Sequence, residues 1–252
     1  MNNKTDFFNI NNTVLSLSNV DAQQTSDYLA TIKAIAKLNN MCLYVIDYHK
    51  QGFEYVSENP LFLCGLSKDE VQEMGYDFYF KFVPKEDLNL LLKINQIGFD
   101  KYLQIPIENR LNYTICYDFK LINSENKTTL INHKLIPLFL TKDGKVWKAI
   151  CLVTLSTSTQ SGNIKVFNEK GQLTFKYNLN ENYWINVKPI VLSEREKEII
   201  RLSVKGFKVN EIASALFISS NTVKFHKKQL FEKLNVTTMN DAIFYSYNNY
   251  LI

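Results

Sequence analysis

Four residues, Asn221, Lys224, Phe225 and Lys228, recur at i, i+3, i+4 and i+7, a spacing that lines side chains along one stripe of an α-helix. Their types suit one kind of chemistry. A lysine ammonium donates to guanine O6 or N7, an asparagine amide pairs with adenine, and an apolar side chain touches a thymine methyl, all within reach of a helix lying in a major groove. Ser220, Thr222 and Lys227 sit at the flanks of the stripe, where phosphates would run. Contacts there would hold register and add salt-dependent affinity, while the central four would select sequence. On the other side of the same helix Val223, Leu230 and Leu234 cluster as a core face.

Such a helix must be held by others, and the chain supplies them. Ser193 and Glu196 have the spacing of a capping box for a first helix that would bury Ile199, Ile200, Leu202 and Val204, with Gly206 as its left-handed stop. A second helix is expected over 209–216 with Ile212 and Ala213 inward, and Ser219 or Ser220 would cap the third.

These pieces, from Val191 to about Tyr247, resemble the LuxR/GerE-type helix-turn-helix of bacterial transcription regulators. The resemblance rests on Leu192-Ser193 with Arg195-Glu196, Gly206, Glu211-Ile212-Ala213, Ser219 with Thr222-Val223-Lys224, His226, and Lys233-Leu234 with Val236. It implies that Lys224, Phe225 and Lys228 face bases, that Thr222 and Lys227 face the backbone, and that a fourth helix from Thr238 to about Asn249, with Thr238 as cap and Asp241 as first-turn acid, serves dimerisation. Two positions depart from the pattern: Lys208 where the family has a capping Ser or Thr, and Met239 where it often has Arg. A lost cap costs about 1 kcal/mol.

Upstream, residues 1–20 are polar and Asn-rich and read as a flexible or loosely docked arm. Asp21 with Gln24 has capping-box spacing for a helix carrying Tyr28, Leu29, Ile32, Ile35 and Ala36. A hairpin follows around Gln51-Gly52. A helical stretch then includes a Ser67–Glu70 capping box and a helix that starts at Pro84, carries Leu88, Leu91, Leu92 and Ile94 and gives way after Asn95. Strands are expected at 112–122, 128–141 and 145–156. The order of Tyr44-Val-Ile-Asp47, Phe53-Glu-Tyr-Val56, Glu58-Asn59-Pro60, Cys64–Glu70, Phe82–Asp87 and Lys142-Asp-Gly144 resembles a PAS sensory domain over residues 22 to 157. That implies a five-stranded antiparallel sheet with helices crossing one face. Ser156–Gly162 reads as a boundary. Ile164 and Val166, then Leu173, Phe175 and Tyr177, read as an extra hairpin that either couples the two domains or extends the sheet.

The fold class is therefore α+β: an arm (1–20), a PAS-like domain (21–157), a β-hairpin and linker (158–188) and an all-α four-helix helix-turn-helix domain (189–252). Composition agrees. Of 252 residues 46% are hydrophobic and the formal charge is +4, enough apolar matter for real cores with a mild basic excess. Nine basic and six acidic residues lie from Pro189 onward, so most of that excess sits in the last quarter. The dispersed Cys42, Cys64, Cys116 and Cys151 read as buried free thiols of a reducing compartment. There is no signal-peptide pattern and no apolar run long enough for a bilayer, which points to a cytoplasmic protein without membrane partners. His49 and His133 stand alone, so no metal site is expected, and His226 reads as a packing residue. The flavin motif Asn-Cys-Arg is missing, the 84–94 helix has no His for haem, and no catalytic motif stands out.

The cofactor expectation is none, although a small-molecule ligand in the PAS-like domain fits the pattern, with lining residues that look like core. The partners expected are double-stranded DNA, a second copy of the chain, and a small molecule or signalling protein. The rival reading is a protein-interaction adaptor that dimerises through the helix-turn-helix and docks a signalling partner through the PAS-like domain.

Overall fold

All six residues of Cys42–Asp47 (β1) are buried, a pattern that requires cover on both faces of a strand. The computed structural model, which describes residues 3–18, 21, 28–38, 40–248 and 251–252, shows what covers it. Cys42, Tyr44 and Ile46 point into the main core. Leu43 and Val45 point the other way, against Ile32 and Ala36 of helix α1 (Tyr28–Leu38). The proposed Asp21 cap involves Gln24, which lies outside the described residues, and Ile35, expected inward, is exposed.

After β1 come Gly52–Val56 (β2), the short helices Pro60–Leu63 (α2), Lys68–Met74 (α3) and Asp77–Phe82 (α4), and the long Lys85–Leu103 (α5). Ser67 and Glu70 form the expected capping box of α3, and Pro84 precedes the first turn of α5. That last helix runs well past Asn95, where the sequence pattern suggested an end. Its inner stripe of Leu91, Ile94 and Phe99 is buried. Gly98 stays within the helix because it sits where α5 comes closest to the sheet: a Cβ there would lie 3.0 Å from Ile115 Cδ1.

Strands Thr114–Ile122 (β3), Thr128–Leu140 (β4) and Val146–Leu155 (β5) complete the expected five. The sheet is larger, however. Gly162–Phe167 (β6), Leu173–Asn178 (β7) and Tyr183–Asn186 (β8) join it, giving eight strands in the order β2-β1-β5-β4-β3-β6-β7-β8. Thr114↔Phe167 to Asp118↔Gly162 pair antiparallel, so β6 occupies the edge of β3 that a five-stranded sheet would leave open. Asp87 Oδ2 ties the loop before β6 to β3, accepting from Ser161 Oγ and from the Lys120 amide, each at 2.6 Å. Thus the hairpin extends the sheet, and the segment expected to be a plain link holds a strand.

The N-terminal arm is likewise packed rather than loose. Lys4–Phe7 form a 3-10 turn capped by Asn3, and Phe7 and Val14 belong to the main core. Asn12, fully buried, donates its amide to Phe7 O at 2.7 Å. Lys145 Nζ donates to Ile10 O at 2.9 Å, and the His49 Nδ1–H to Val14 O at 2.9 Å. The same Asn side chains that look like disorder in composition serve here as local turn-makers and anchors.

Contacts divide the chain into one unit of Met1–Phe167 with Phe175–Ile185 and another of Asn168–Thr174 with Asn186–Ile252. In the second, Glu194–Val204 (α6), Val209–Ala215 (α7), Ser220–Leu234 (α8) and Met239–Asn248 (α9) follow the expected order. Ile199 and Ile200 of α6 are buried and Leu202 packs beside them, whereas Val204, expected inside, stands in the last turn and is exposed. Two apolar clusters hold the helices. Leu192, Ile200, Leu230, Leu234 and Ala242 form one. Ile199, Ile212, Ala213 and Val223 form the other, and Met239 packs on both.

Candidate nucleic-acid interface and buried cavity

Helix α8 is positioned by its two ends and its buried stripe. Ser219 is the cap, its Oγ accepting the Thr222 amide at 3.1 Å. Asn235, at φ 52°, closes the other end in the left-handed region. Val223 and Leu230 are fully buried and Leu234 nearly so. A polar lock reinforces this packing. Lys233 Nζ lies 2.7 Å from Glu196 Oε2, and the same carboxyl accepts the Ser193 amide at 2.7 Å, fixing α8 to the first turn of α6. Burial alone would raise the Glu196 carboxyl, but the Lys233 ammonium and the Ser193 donors outweigh it and hold the group below its ordinary value.

With one side so held, the other faces out. Asn221, Lys224, Phe225 and Lys228 are all exposed, and the ion pair of Lys228 with Glu232, at 3.9 Å, is open to solvent. Thr222 and Lys227 are half-buried beside that stripe. Ser220, also half-buried, donates its hydroxyl to Asn210 Oδ1 at 2.8 Å, so it links α8 to α7. His226 lies against Phe225, ring centroids 5.8 Å apart. At the start of α7 the Lys208 side chain cannot accept an amide proton, but its own amide donates to Glu211 Oε2 at 2.6 Å, which keeps half of a capping box.

The second feature lies in the N-terminal unit. Between the sheet and helix α5 is a cavity of about 80 Å³ walled by Phe7, Tyr48, Tyr79, Phe99, Tyr117 and Val146 among others, room for a molecule of several non-hydrogen atoms. His133 on β4 is part of this wall. Its Nε2 is 2.7 Å from Tyr44 Oη, which is 2.5 Å from Tyr79 Oη. Burial pushes the imidazole down to about 3, so it is neutral at physiological pH. Its Nδ1 and the hydroxyl of Tyr102, also in the wall, have no hydrogen-bond partner among the described residues. Lys101, on α5, completes the wall on one side and sets its Nζ 3.9 Å from the ring centroid of Phe175 on β7. Burial lowers the Lys101 ammonium from its ordinary value.

Sequence reasoning placed His133 in a strand but did not find this cavity. Alternation along β4 gives the signal for an inward side chain, but nothing distinguishes a lining aromatic from a packing one. The four cysteines are buried and unpaired. No helix among the described residues is long and apolar enough to cross a membrane.

A helical unit that buries one stripe of its third helix and exposes a basic stripe has the make-up of a helix-turn-helix, and the α+β unit holds a cavity lined from β1, β3, β4, β5, β6 and α5. Residues 190–246 match the profile of the family described as bacterial regulatory proteins, luxR family. The C-terminal segment is similar to LuxR-type helix-turn-helix domains. It is 42% identical over 62 residues to the response regulator protein VraR of Staphylococcus aureus (strain Mu3 / ATCC 700698), covering 25% of this chain and 30% of that protein. The same figures hold for VraR of Staphylococcus saprophyticus. The chain thus spans about a third of the length of the curated relatives it matches. Among solved structures, a VqmA dimer of Vibrio cholerae overlaps 89% of this chain and 88% of its own at 16% identity and a TM-score of 0.32. The PAS domain of the fruit-fly ELK potassium channel overlaps 53% of this chain and all of its own at 12% identity and a TM-score of 0.38.

Proposed function

We propose that the chain is a sequence-specific DNA-binding transcription regulator and not an enzyme, acting in the cytoplasm as a homodimer under the control of its PAS-like domain. The observation that carries this reading is the division of α8 into a buried stripe and an exposed one, with Asn221, Lys224, Phe225 and Lys228 on the exposed side. A helix so divided can be anchored by one face while the other enters a major groove. Lys224 and Lys228 would donate to guanine, Asn221 to adenine, and Phe225 would meet a thymine methyl. Thr222 and Lys227, with Ser220 at the helix start, would lie along the phosphates. Two copies related by a two-fold axis would read an inverted repeat with half-sites about one helical turn apart.

The cavity is the place for the signal. Its wall is apolar with two unanswered polar atoms, the make-up of a small-molecule site. An occupant would shift the protein only by as much as it favours one arrangement of the sheet over another. Lys101, shared between the wall and Phe175, is the side chain through which β7 would register that change.

The test is binding-site selection from a random-sequence duplex pool with the full chain, followed by affinity measurement for the double variant Lys224→Ala/Lys228→Ala. The reading expects a defined consensus for the wild type and a loss of roughly a hundredfold or more in the variant, at about 1–3 kcal/mol per lost base contact. Affinity retained in a well-folded variant contradicts it.

A further inference from the structure

Phe217 ends helix α7 in a conformation that suits it poorly. Its amide donates to Ser214 O at 3.3 Å and the next amide, of Ile218, to Ala213 O at 3.0 Å. The chain leaves the helix with Phe217 at φ 54°. At that point of a helix terminus glycine is favoured, because a Cβ crowds the backbone in the left-handed region. Among the described residues seven other non-glycine positions have positive φ, and five of them are asparagine, which tolerates the conformation; Phe217 is the one bulky aromatic among them.

Its ring gains nothing from the fold in return. At 95% exposure it is the most exposed large hydrophobic side chain among the described residues. A glycine here would relax the backbone and remove an apolar surface from water, so folding gives no reason for phenylalanine at this position. Its place suggests another reason. Phe217 stands two residues before Ser219, the cap of α8, and the N-terminal end of a reading helix is the end that approaches the bases. Three residues of chain span at most about 10 Å, within reach of the backbone that borders the groove.

We propose that Phe217 is a DNA-contacting residue whose ring packs on the deoxyribose face of the backbone at the groove edge where α8 enters. The contact is apolar and carries no charge, so it adds affinity that salt does not screen, complementing the lysines of α8. This rests on the reading of α8 as a DNA-reading helix.

The experiment compares Phe217→Gly, Phe217→Leu and Lys227→Ala with the wild type, all in the full chain, on the duplex that the wild type enriches from a random-sequence pool. Denaturation midpoint and affinity across a salt series are measured for each. Phe217→Gly is expected to unfold at higher denaturant yet bind about tenfold more weakly, the loss for leaving roughly half a ring's apolar surface uncovered. Its plot of log affinity against log salt keeps the wild-type slope, whereas Lys227→Ala reduces that slope by about one. Phe217→Leu keeps most of the affinity. Wild-type affinity in Phe217→Gly overturns the proposal alone, as does a fall in its stability, which would make the residue structural. If the wild type enriches no duplex, the reading of α8 fails and the proposal falls with it.

Discussion

Helix α8 and the cavity under the sheet face opposite constraints. On α8 the side chains proposed to act are those the fold leaves out: Lys224, Phe225 and Lys228 are exposed while Val223 and Leu230 carry the packing. In the cavity the side chains that would bind are also the ones that hold the unit together, since Tyr48, Tyr76 and Tyr79 line it and belong to the same core cluster that closes the sheet. Where function and packing are on different residues, a change in one leaves the other intact. Where they coincide, binding and stability move together.

The strongest way to break that contrast is to truncate the residue that props the cavity wall from behind. Tyr44 is fully buried, stacks on Phe62 with ring centroids 4.3 Å apart and bonds to both His133 and Tyr79. Tyr44→Ala is expected to cost about 4 kcal/mol in urea denaturation, while alanine at Lys224 or Lys228 stays within about 0.5 kcal/mol. Equal losses at the two places would remove the distinction.

His133 sharpens it through pH. Because burial lowers its folded-state value from 6.5 to about 3, the unfolded chain takes up a proton that the folded chain refuses as pH falls below 6.5. The stability change from this group between pH 7 and 5 is a loss of about 2 kcal/mol. His133→Leu should flatten that part of the stability–pH curve relative to the wild type, measured by denaturation at several pH values. An unchanged curve would mean the imidazole is not held neutral.

The lock between α6 and α8 falls between the two cases. The Glu196 carboxyl is held below its usual range, so its contribution is complete above about 4.5 and fades as pH drops through the lowered value. Lys233→Met leaves the buried carboxylate without its cation and is expected to cost about 2 kcal/mol, while keeping the reading face chemically intact. The smallest effect belongs to the solvent-exposed Lys228–Glu232 pair. Glu232→Gln should change stability by less than about 0.5 kcal/mol.

The same contrast explains what was legible in the sequence. The helix-turn-helix shows itself through local punctuation: the Ser193 and Ser219 caps, Gly206 at φ 85° and a core stripe at helical spacing all stand where expected. The first five strands show themselves through period and turns. What eluded the sequence depends on distant partners. The Asn-rich N-terminal segment is ordered by Lys145, His49 and Asn95, all remote in the chain. Strand β8 is four residues long and gains its place from β7. Past Asn95, helix α5 carries Phe99, which is buried in the core built on distant strands. The cavity is a gap between side chains of core type, and a gap leaves no mark on composition. His133 alone could have signalled it, as a polar residue within an apolar face.

The central claim is that α8 reads DNA sequence, and the most direct measurement is the ratio of affinities for the selected duplex and for the same duplex with its half-sites scrambled, at one fixed salt concentration. The account predicts a ratio of roughly a thousandfold or more that collapses towards one in Lys224→Ala/Lys228→Ala. Equal affinity of the wild type for both duplexes would contradict it.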